Sequence, residues 1–410
     1  MKKENKSVKA YKGFNKYMQC TPNGEIFQYE IGKEYKEDEA NLCHCGFHAC
    51  ENPLDVLSYY NNIDDKFCEV ELDEIDPNRN KDSKICGKKI KIGIEIGFLG
   101  LFKAGIEWIK NKTIFTKEDF KKLPSGYDAQ VSSSNYDAQI SFSGNHVHIS
   151  SSGYDAKIGS SGDYAKIGSS SDYAQIGSSG YDAKIGSSGD YTKIGSSGNC
   201  IKVSSSGDYA QIGSFGNHAR ISSSSYNAKI GSSGNRAQIS SSGNCTKIGS
   251  FGDDAQISSS GDYAKIGSSG DYVQISSSGD DAQISSSSDY AQIGSSGYDA
   301  KIGSSGYNAK IGSSGDDAQI SSSGDDAQIS SSGDDAQISS SGDDCVIMCA
   351  GINSSAKAKI GSWITLAEWK YSEEKQKYIP FSVVTKQVDG IEIKEDVYYT
   401  LQDGKFKELK

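Results

Sequence analysis

The sequence predicts a mainly β protein built around a nonapeptide-repeat β-solenoid, a β-roll with two nine-residue units, or 18 residues, per coil. Two observations carry this prediction. An apolar β-branched residue recurs every nine positions from Val131 to Ile347, over 24 intervals without an insertion or deletion. A small residue, usually Ala, stands two places before it, and a Gly-containing corner follows it. Such strict spacing is typical of stacked repeats and excludes a flexible linker, although Gly and Ser are abundant.

The repeat unit reads Ala-(Lys/Gln)-Ile-(Gly/Ser)-Ser-Ser-Gly-(Asp/Asn/Tyr)-(Asp/Tyr/Asn). In an extended chain, alternation places Ala, Ile and the second residue after Ile on one face, and Lys or Gln on the other. The corner is predicted to use Gly or Asn at positive φ, with Asp or Ser capping the turn through its own oxygen. Two units per turn give about twelve coils, with two parallel sheets facing each other across a thin core.

The repeat divides the chain into four predicted parts. Residues 1–115 form a small α+β domain with a capping strand and helix, 116–125 a linker, 126–347 the solenoid, and 348–410 a C-terminal β-meander cap. The two ends of a solenoid expose unpaired strand edges, which favour aggregation. We therefore expect the flanking segments to cover those edges.

Local patterns predict the elements of the N-terminal domain. Asn52 before Pro53 predicts a helix start that leads to Tyr60. The runs 67–72 and 89–96 alternate as strands do. Helical spacing then predicts an amphipathic helix through Phe98, Leu101, Phe102, Ile106 and Ile109.

A second helix and the C-terminal cap follow from similar signals. Thr116 and Asp119 predict a short helix that Pro124 ends. After Ile347 the register is predicted to break, because Ala358-Lys359-Ile360 resumes the motif thirteen residues later. Asp-Gly pairs at 389–390 and 403–404 predict type I′ hairpin turns of a β meander. The bulky cover over the last coil is predicted to consist of Trp363, Ile364, Leu366 and Trp369.

The charge of the chain narrows the classes of partner. The net charge is −11, and Arg occurs only at Arg79, Arg220 and Arg236. Direct binding to nucleic acid or to an anionic membrane is therefore not expected, and basic partners or cations fit better.

The chain lacks an apolar signal segment and a transmembrane-length run, which predicts a cytoplasmic location. Ten Cys are too few for a disulfide scaffold, so reduced thiols are expected.

Both flanks resemble one uncharacterised family. The matching runs are AYKGF at 10–14, MQC at 18–20, QYEIGKEY at 28–35, CGFHACENPLDVLSYY at 45–60, AKAKIGSWITLAEW at 356–369 and VDGIEIKEDVYYTLQDGKF at 388–406. Members of that family occur in bacterial and phage genomes and carry variable nonapeptides between conserved ends. The Ile-rich core and Asp-rich corners of this chain depart from the family's Ala- and Thr-rich repeats. The resemblance implies a phage or prophage origin and no mechanism.

One cluster of soft ligands raises the question of a metal site. Cys43, Cys45, His48 and Cys50 form the pattern C-x-C-x2-H-x-C, which suits zinc by chemistry. Structural zinc sites usually combine ligand pairs from two separate elements, whereas these four residues run into one predicted strand. Buried thiols and a core His are the preferred interpretation, so no metal or cofactor is predicted.

The stretch GFHACENPLDVLSYY at 46–60 also resembles the strand and helix that flank the nicotinamide pocket in ADP-ribosyltransferase-like folds. Lys12 then stands where that superfamily generally has Arg or His. No recognisable catalytic motif surrounds Glu69, Glu71 or Glu95. The resemblance therefore implies a degenerate fold rather than a working enzyme, and no catalytic residue is predicted.

The last repeats carry paired Asp residues, which point to cations or to a basic partner. The eight are Asp316, Asp317, Asp325, Asp326, Asp334, Asp335, Asp343 and Asp344. Calcium-binding nonapeptides need Asp two places before the apolar residue, where this chain has Ala, so diffuse cation screening is the simpler interpretation.

The leading hypothesis is a non-enzymatic scaffold that presents Tyr, Asp, Lys and Gln ladders to an unknown protein partner. The alternatives are an acidic DNA mimic and an ADP-ribosyltransferase-like domain.

Overall fold

In a computed structural model, the described residues are 7–60, 62, 64–78, 83–113 and 126–409. They divide into two units, Met1–Lys112 and Thr113–Lys410. The predicted fold class is confirmed, since the chain is mainly β, with a solenoid and a small N-terminal domain. The predicted linker at 116–125 and the short helix at Thr116 lie outside the described residues.

The N-terminal unit contains seven strands, one α-helix and two 3-10 helices among its described residues. The strands are β1 (Val8–Phe14), β2 (Gln19–Cys20), β3 (Phe27–Gln28), β4 (Glu34–Lys36), β5 (Phe47–Cys50), β6 (Lys66–Ile75) and β7 (Lys84–Glu95). The helix α1 spans Gly97–Thr113, and the 3-10 helices span Pro22–Gly24 and Pro53–Ser58.

Strand β7 closes the N-terminal sheet on itself. The sheet is antiparallel with the order β4-β7-β5-β1-β6, and β7 also pairs with β6. The first residues of β7 pair with β5, and its later residues pair with β6. Because one long strand joins both edges, the strands enclose a core that includes Phe14, Phe47 and Leu72.

The predicted N-terminal elements are present with adjusted bounds. The helix predicted at 52–60 is a 3-10 helix, and its N-cap Asn52 accepts a hydrogen bond from the Leu54 N–H at 3.2 Å. Helix α1 packs within this unit, where the Phe98 ring lies 6.4 Å from that of Phe67. A Cβ on Gly105 would meet Leu54 Cγ at 2.4 Å, so the helix approaches closely. Its role as a cap on the first coil stays a prediction.

The solenoid consists of four-residue strands. They are β8 (Gln130–Ser133), β9 (Gln139–Phe142), β10 (His148–Ser151), β11 (Lys157–Ser160), β12 (Lys166–Ser169), β13 (Gln175–Ser178), β14 (Lys184–Ser187), β15 (Lys193–Ser196), β16 (Lys202–Ser205), β17 (Gln211–Ser214), β18 (Arg220–Ser223), β19 (Lys229–Ser232), β20 (Gln238–Ser241), β21 (Lys247–Ser250), β22 (Gln256–Ser259), β23 (Lys265–Ser268), β24 (Gln274–Ser277), β25 (Gln283–Ser286), β26 (Gln292–Ser295), β27 (Lys301–Ser304), β28 (Lys310–Ser313), β29 (Gln319–Ser322), β30 (Gln328–Ser331), β31 (Gln337–Ser340) and β32 (Val346–Cys349).

These strands form two parallel sheets, because alternate units stack in register. Even-numbered strands from β8 to β32 form the first solenoid sheet, and odd-numbered strands from β9 to β31 form the second. Ile239 pairs with Ile257 in the first sheet, and Ile248 with Ile266 in the second. The predicted coil of about 18 residues is confirmed, with about 13 turns.

The interior of the solenoid is the predicted seam of Ile, Ala and Ser. Repeat isoleucines from Ile140 onward are at most 7% exposed, and Ile266 is fully buried. Ala264, two places earlier, and Ser268, two places later, are also fully buried. The nine-residue spacing therefore places one strand on each side of a buried core.

The corners differ from the prediction in which residue takes positive φ. In every unit from Asp128 to Asn353, the residue two places after the corner Gly, Ser or Asn has φ between 50° and 60°. We call this the left-handed position. Within the described repeat, residues 126–353, no Gly has positive φ. Side chains as large as Tyr164 and Arg236 occupy the left-handed position, so backbone strain is spread over every coil.

The corner Gly serves a different purpose, which is close stacking of one coil on the next. A Cβ on Gly162 would lie 1.9 Å from the carbonyl oxygen of Gly144, one coil below. Three corners instead have Ser, at Ser171, Ser225 and Ser288, and these residues are buried. There the hydroxyl points toward the core, as shown by the 3.2 Å between the Oγ atoms of Ser171 and Ser151.

The repeat continues for one more unit after Ile347, so the predicted register break is wrong in its position. The spacing changes only after Ala356, since Ile364 lies opposite Ile347 at a separation of 17 residues instead of 18. Strand β33 (Ser355–Lys357) pairs in parallel with β31, with Ala356 opposite Ile338, which is one full coil away. Strand β34 (Trp363–Ser372) pairs with β32, with Ile364 opposite Ile347. Ile360, expected to resume the repeat, is 52% exposed. The prediction failed because Ala356 fills the place of an Ile.

Two antiparallel hairpins complete the C-terminal β cap, one on each sheet. Strand β35 (Lys377–Gln387) pairs with β34 on the first sheet, while β36 (Tyr399–Gln402) pairs with β33 and with β37 (Lys405–Glu408) on the second. Asp403 and Gly404 both have positive φ, so the hairpin turn predicted there is confirmed. Of the predicted cover, Ile364 and Leu366 are buried, Trp369 is partly buried and Trp363 is 46% exposed.

The Asp389-Gly390 pair does not form the predicted hairpin turn. Asp389 Oδ1 instead accepts hydrogen bonds from the N–H groups of Ile391, Glu392 and Ile393 at 2.8–3.0 Å. These bonds favour the ionised carboxylate and hold the pKa of Asp389 below its usual value. The carboxylate therefore organises an irregular loop between β35 and β36.

Candidate functional surfaces

The solenoid corners are joined from coil to coil by a ladder of side-chain hydrogen bonds. The residue directly after the corner Gly or Ser, which we call the acceptor position, is usually Asp or Asn. Its Oδ1 accepts a hydrogen bond from the backbone N–H of the acceptor position 18 residues later. Asp163 Oδ1 binds the Tyr181 N–H at 2.8 Å, and Asp190 Oδ1 binds the Asp208 N–H at 2.8 Å. The prediction that Asp caps its own turn is therefore wrong, because it caps the next coil.

The net negative charge of the protein comes from one part of the solenoid. Residues 251–347 contain sixteen Asp and three Lys, a net charge of −13, whereas the rest of the chain sums to +2. All sixteen Asp occupy acceptor or left-handed positions, which places them along the two edges of the rod. The side chains of Asp254 and Asp343 are 51% and 58% exposed. This half of the solenoid therefore carries an acidic column on each edge.

Tyr residues also form columns at the corners, and the longest parallel stack lies in the other half of the solenoid. The rings of Tyr173, Tyr191 and Tyr209 are parallel, with centroids 5.0 and 4.8 Å apart and interplanar angles of 4° and 1°. A face-to-face stack leaves only ring edges and hydroxyls accessible. These columns thus stabilise coil stacking and present hydroxyl rows, and their faces are not open to a stacking ligand.

The outer face of the first solenoid sheet forms a shallow groove of about 1160 Å³ between Lys202 and Met348. Most of its lining consists of the outward side chains of each strand, an amide or cation followed by Ser or Gly. Gln238 and Gln256 illustrate the row, since their side-chain amides lie 3.5 Å apart. The outward residues of the last strand, Val346 and Met348, are apolar instead.

The four soft ligands of the N-terminal unit do not converge. The Cys43 side chain is exposed, Cys45 is partly buried and Cys50 is buried. His48 Nε2 accepts the Cys43 N–H at 2.9 Å, and burial lowers the pKa of His48, which favours neutral imidazole. Across the described ranges, no three His, Cys, Asp or Glu side chains are grouped as metal ligands.

The ten cysteines of the chain are thiols outside any disulfide. Burial raises the pKa of Cys86 to about 11 and that of Cys68 to about 12, so both are protonated at neutral pH. Cys86 Sγ lies 3.0 Å from the carbonyl oxygen of Cys45 and donates to it. These thiols are packed as small apolar groups.

The residues relevant to an ADP-ribosyltransferase-like pocket have structural partners. The Lys12 ammonium donates to the His48 carbonyl at 2.9 Å and lies 5.5 Å from the Tyr29 ring centroid. Glu69 forms an ion pair with Lys9 at 2.9 Å, and Glu95 pairs with Lys66 at 2.8 Å. These contacts link neighbouring β-strands, and they explain the charged residues as surface pairs of the sheet.

Comparison with known proteins places only the N-terminal unit. Residues 8–104 match a family model described as a domain of unknown function, DUF7666. This match supports the resemblance to an uncharacterised family for that part of the chain. No curated protein and no solved structure matches the chain.

Helix α1, like the rest of the described chain, offers no helical segment that is both long and apolar enough to cross a membrane.

Proposed function

We propose that the protein is a non-enzymatic interaction scaffold whose solenoid presents repeated side chains to a protein partner. The observation that supports this proposal is the in-register stacking of strands with similar sequences, which repeats an outward Gln along one face. The corner bonds between coils fix the spacing of these rows. A rigid surface of this kind binds without ordering its own backbone, which limits the entropic cost of association.

The second part of this proposal concerns origin and location. A phage or prophage gene and a cytoplasmic protein would fit the family resemblance and the reduced thiols. Inspection of the neighbouring genes tests the origin, because a phage or prophage gene is expected to lie among phage structural or regulatory genes. Fractionation of the source cells tests the location, and recovery in the membrane fraction would contradict it.

Site-specific photo-crosslinking tests the scaffold function on the full chain. A photoreactive residue replaces Gln256 on the first sheet, Gln337 on the second, or Tyr272 on a corner, and the chain is exposed to a lysate of the source organism. One defined protein is expected to crosslink from positions on a single surface. Crosslinking of unrelated proteins from all three positions equally would refute a specific scaffold.

Labelled NAD tests the enzymatic alternative on the same preparation. A scaffold leaves the label on intact NAD, whereas transfer of label to protein or release of nicotinamide would establish a transferase. Lys12→Ala is the matched variant, since loss of transfer in it would place the reaction at the N-terminal sheet.

The localised charge favours an acidic DNA mimic as the second candidate. A net charge of −13 within residues 251–347, arranged on two edges, resembles two phosphate strands more than a uniformly acidic surface does. Capture of a DNA-binding protein that duplex DNA displaces, and that weakens steeply with salt, would support mimicry. Capture that is insensitive to salt and to DNA would exclude it.

A further inference from the structure

The end of the first solenoid sheet carries an apolar patch where the repeat is elsewhere polar. From Gln130 to Gln328, every strand of this sheet presents Lys, Gln, Arg or His and then Gly or Ser to the outside. In β32 these two positions are Val346 and Met348, which are 43% and 50% exposed. The change affects only the outward positions, since Ile347 between them is buried. Packing inside the solenoid therefore does not explain it.

The neighbouring strand β34 extends the patch by one residue. Trp363 of β34 lies opposite Val346 in the parallel register and is 46% exposed. Beyond it the outward register partners are polar, because Met348 lies opposite Thr365 and Trp363 lies opposite Gln387. We call Val346, Met348 and Trp363 the end patch.

Acidic corners lie on both edges of the sheet near the end patch. Asp344 precedes β32 itself and Asp326 precedes β30, whereas Asp317 and Asp335 lie on the opposite edge in earlier coils and the corner that follows β32 has Asn353. The four Asp occupy left-handed positions. The groove along the first sheet ends at Val346 and Met348, so the patch is continuous with a row of Gln and Ser.

We propose that the end patch and its acidic rim are the docking site for a basic protein segment whose apolar residues cover Val346, Met348 and Trp363. The proposal rests on the scaffold function and names its partner chemistry. An apolar centre within a charged rim is the usual composition of a protein interface. Lys and Arg on the partner complement the Asp columns, and its apolar residues fill the centre.

Charge decides between this occupant and the other candidates. A second copy that docks through the same patch would bring Asp columns against Asp columns, and like charges across an interface are repulsive. Nucleic acid and anionic lipid meet the same repulsion. A basic polypeptide gains from both the apolar centre and the rim.

Synthetic peptides test the site on the full chain. The probe has a central Leu-Trp-Leu segment flanked on each side by several Lys, and a matched peptide has Ser-Gln-Ser in the centre. Fluorescence anisotropy measures binding at about 150 mM NaCl, where long-range attraction is screened. The Leu-Trp-Leu peptide is expected to bind at least about tenfold more tightly than its match, because buried apolar anchors dominate interface affinity.

Two variants are designed to preserve the fold, because each introduces residues that the repeat already has at equivalent positions. Val346→Gln with Met348→Ser restores the outward pair found in β30 and β24. Asn replaces Asp317, Asp326, Asp335 and Asp344, because Asn occupies the same φ region at Asn227 and Asn308. The matched control puts Asn at Asp128, Asp137, Asp155 and Asp182, which removes four left-handed Asp from the other half.

The apolar and the acidic variant are each expected to weaken the Leu-Trp-Leu peptide about tenfold or more, and the control to change it less than about twofold. The acidic variant also lowers the salt dependence of binding. Equal binding of both peptides, no binding to the unaltered chain, or no loss in Val346→Gln/Met348→Ser would overturn the proposal. Concentration-dependent dimers that this variant abolishes would make a second copy the occupant and also overturn it. Photo-crosslinks confined to other surfaces would leave the scaffold function intact while this site fails.

Discussion

Replacing the corner carboxylates of the last coils separates their hydrogen-bonding role from their charge. In one variant Ala replaces Asp316, Asp325 and Asp334, and in the other Asn replaces them. Their Oδ1 atoms accept N–H groups of the next coil at 2.7–2.8 Å. Asn makes the same contact elsewhere in the chain, where Asn217 Oδ1 accepts the Asn235 N–H at 2.9 Å. Asn is thus a replacement that the fold already uses.

The difference between these two variants follows from the bonds that each retains. Both variants remove three negative charges. The gain in stability from weaker Asp–Asp repulsion is therefore the same in both and does not affect the difference between them. Only the Ala variant loses three acceptors, each worth about 0.5–1.5 kcal/mol net, which gives about 1.5–4.5 kcal/mol between the variants. We expect the Asn variant to match or exceed the unaltered chain in stability.

Tryptophan fluorescence during urea unfolding measures this difference locally. In a Trp108→Phe background only Trp363 and Trp369 remain, and both lie on β34, next to the last repeat strands. Trp369 Nε1 donates to the Ala350 carbonyl at 2.7 Å, so unfolding of the cap changes its surroundings. Hydrogen exchange of the Asp343 and Ile352 amides provides a second measure, with faster exchange expected in the Ala variant. Equal urea midpoints for the Ala and Asn variants would refute the ladder.

Three further predictions address the core, a strand glycine and a loop carboxylate. Ile266→Ala is expected to cost about 2–5 kcal/mol in urea unfolding because it leaves a cavity in a sealed core, whereas exposed Gln274→Ala changes stability by less than about 0.5 kcal/mol; equal costs would contradict the assigned core. Gly294→Ala is expected to stabilise by about 0.4–1 kcal/mol, since no atom lies within 4 Å of the added Cβ, and a lower midpoint would contradict that open surface. Asp389 has a lowered pKa, so its contribution is present above pH 3.8, its unfolded value, and is lost as pH falls through the folded pKa. The Ile391 amide shift in NMR should titrate below pH 3.8 and lose that titration in Asp389→Ser, and a midpoint above 3.8 would contradict the assignment.

The repeat was predictable because its signal is local and repeated many times. Ile every ninth residue with Ala two places before it defines strand, face and period without any knowledge of contacts. The same signal misled where one residue changed type. Ala356 continues the register opposite Ile338, yet its small size hides it from a pattern built on Ile.

The corners show why residue preference alone does not assign a role. Gly is the usual residue at positive φ, but here its lack of a Cβ is needed for contact with the coil below, and Tyr164 takes the positive φ. Likewise Asp163 caps the following coil rather than its own turn. Both roles depend on a neighbour 18 residues away, which turn preferences do not include.

The end patch had a sequence signal that was visible but weak. Val346 and Met348 break the polar outward pattern in a single unit. Two apolar residues stand out only once it is known which residues of each strand face outward. The C-x-C-x2-H-x-C spacing was a stronger motif, yet the described residues do not bring three potential metal ligands together.

The sequence by itself determined the period, the inward face and the two-unit coil, because each follows from alternation along a strand and from spacing that is constant along the chain. Only the tertiary structure decided the hydrogen-bonded corner ladder, the coil-to-coil approach at Gly162 and the pairing of Val346 with Trp363. These contacts join residues about one coil apart. Whether two such residues meet depends on how each coil stacks on the next. The sequence of a single repeat unit does not specify that stacking.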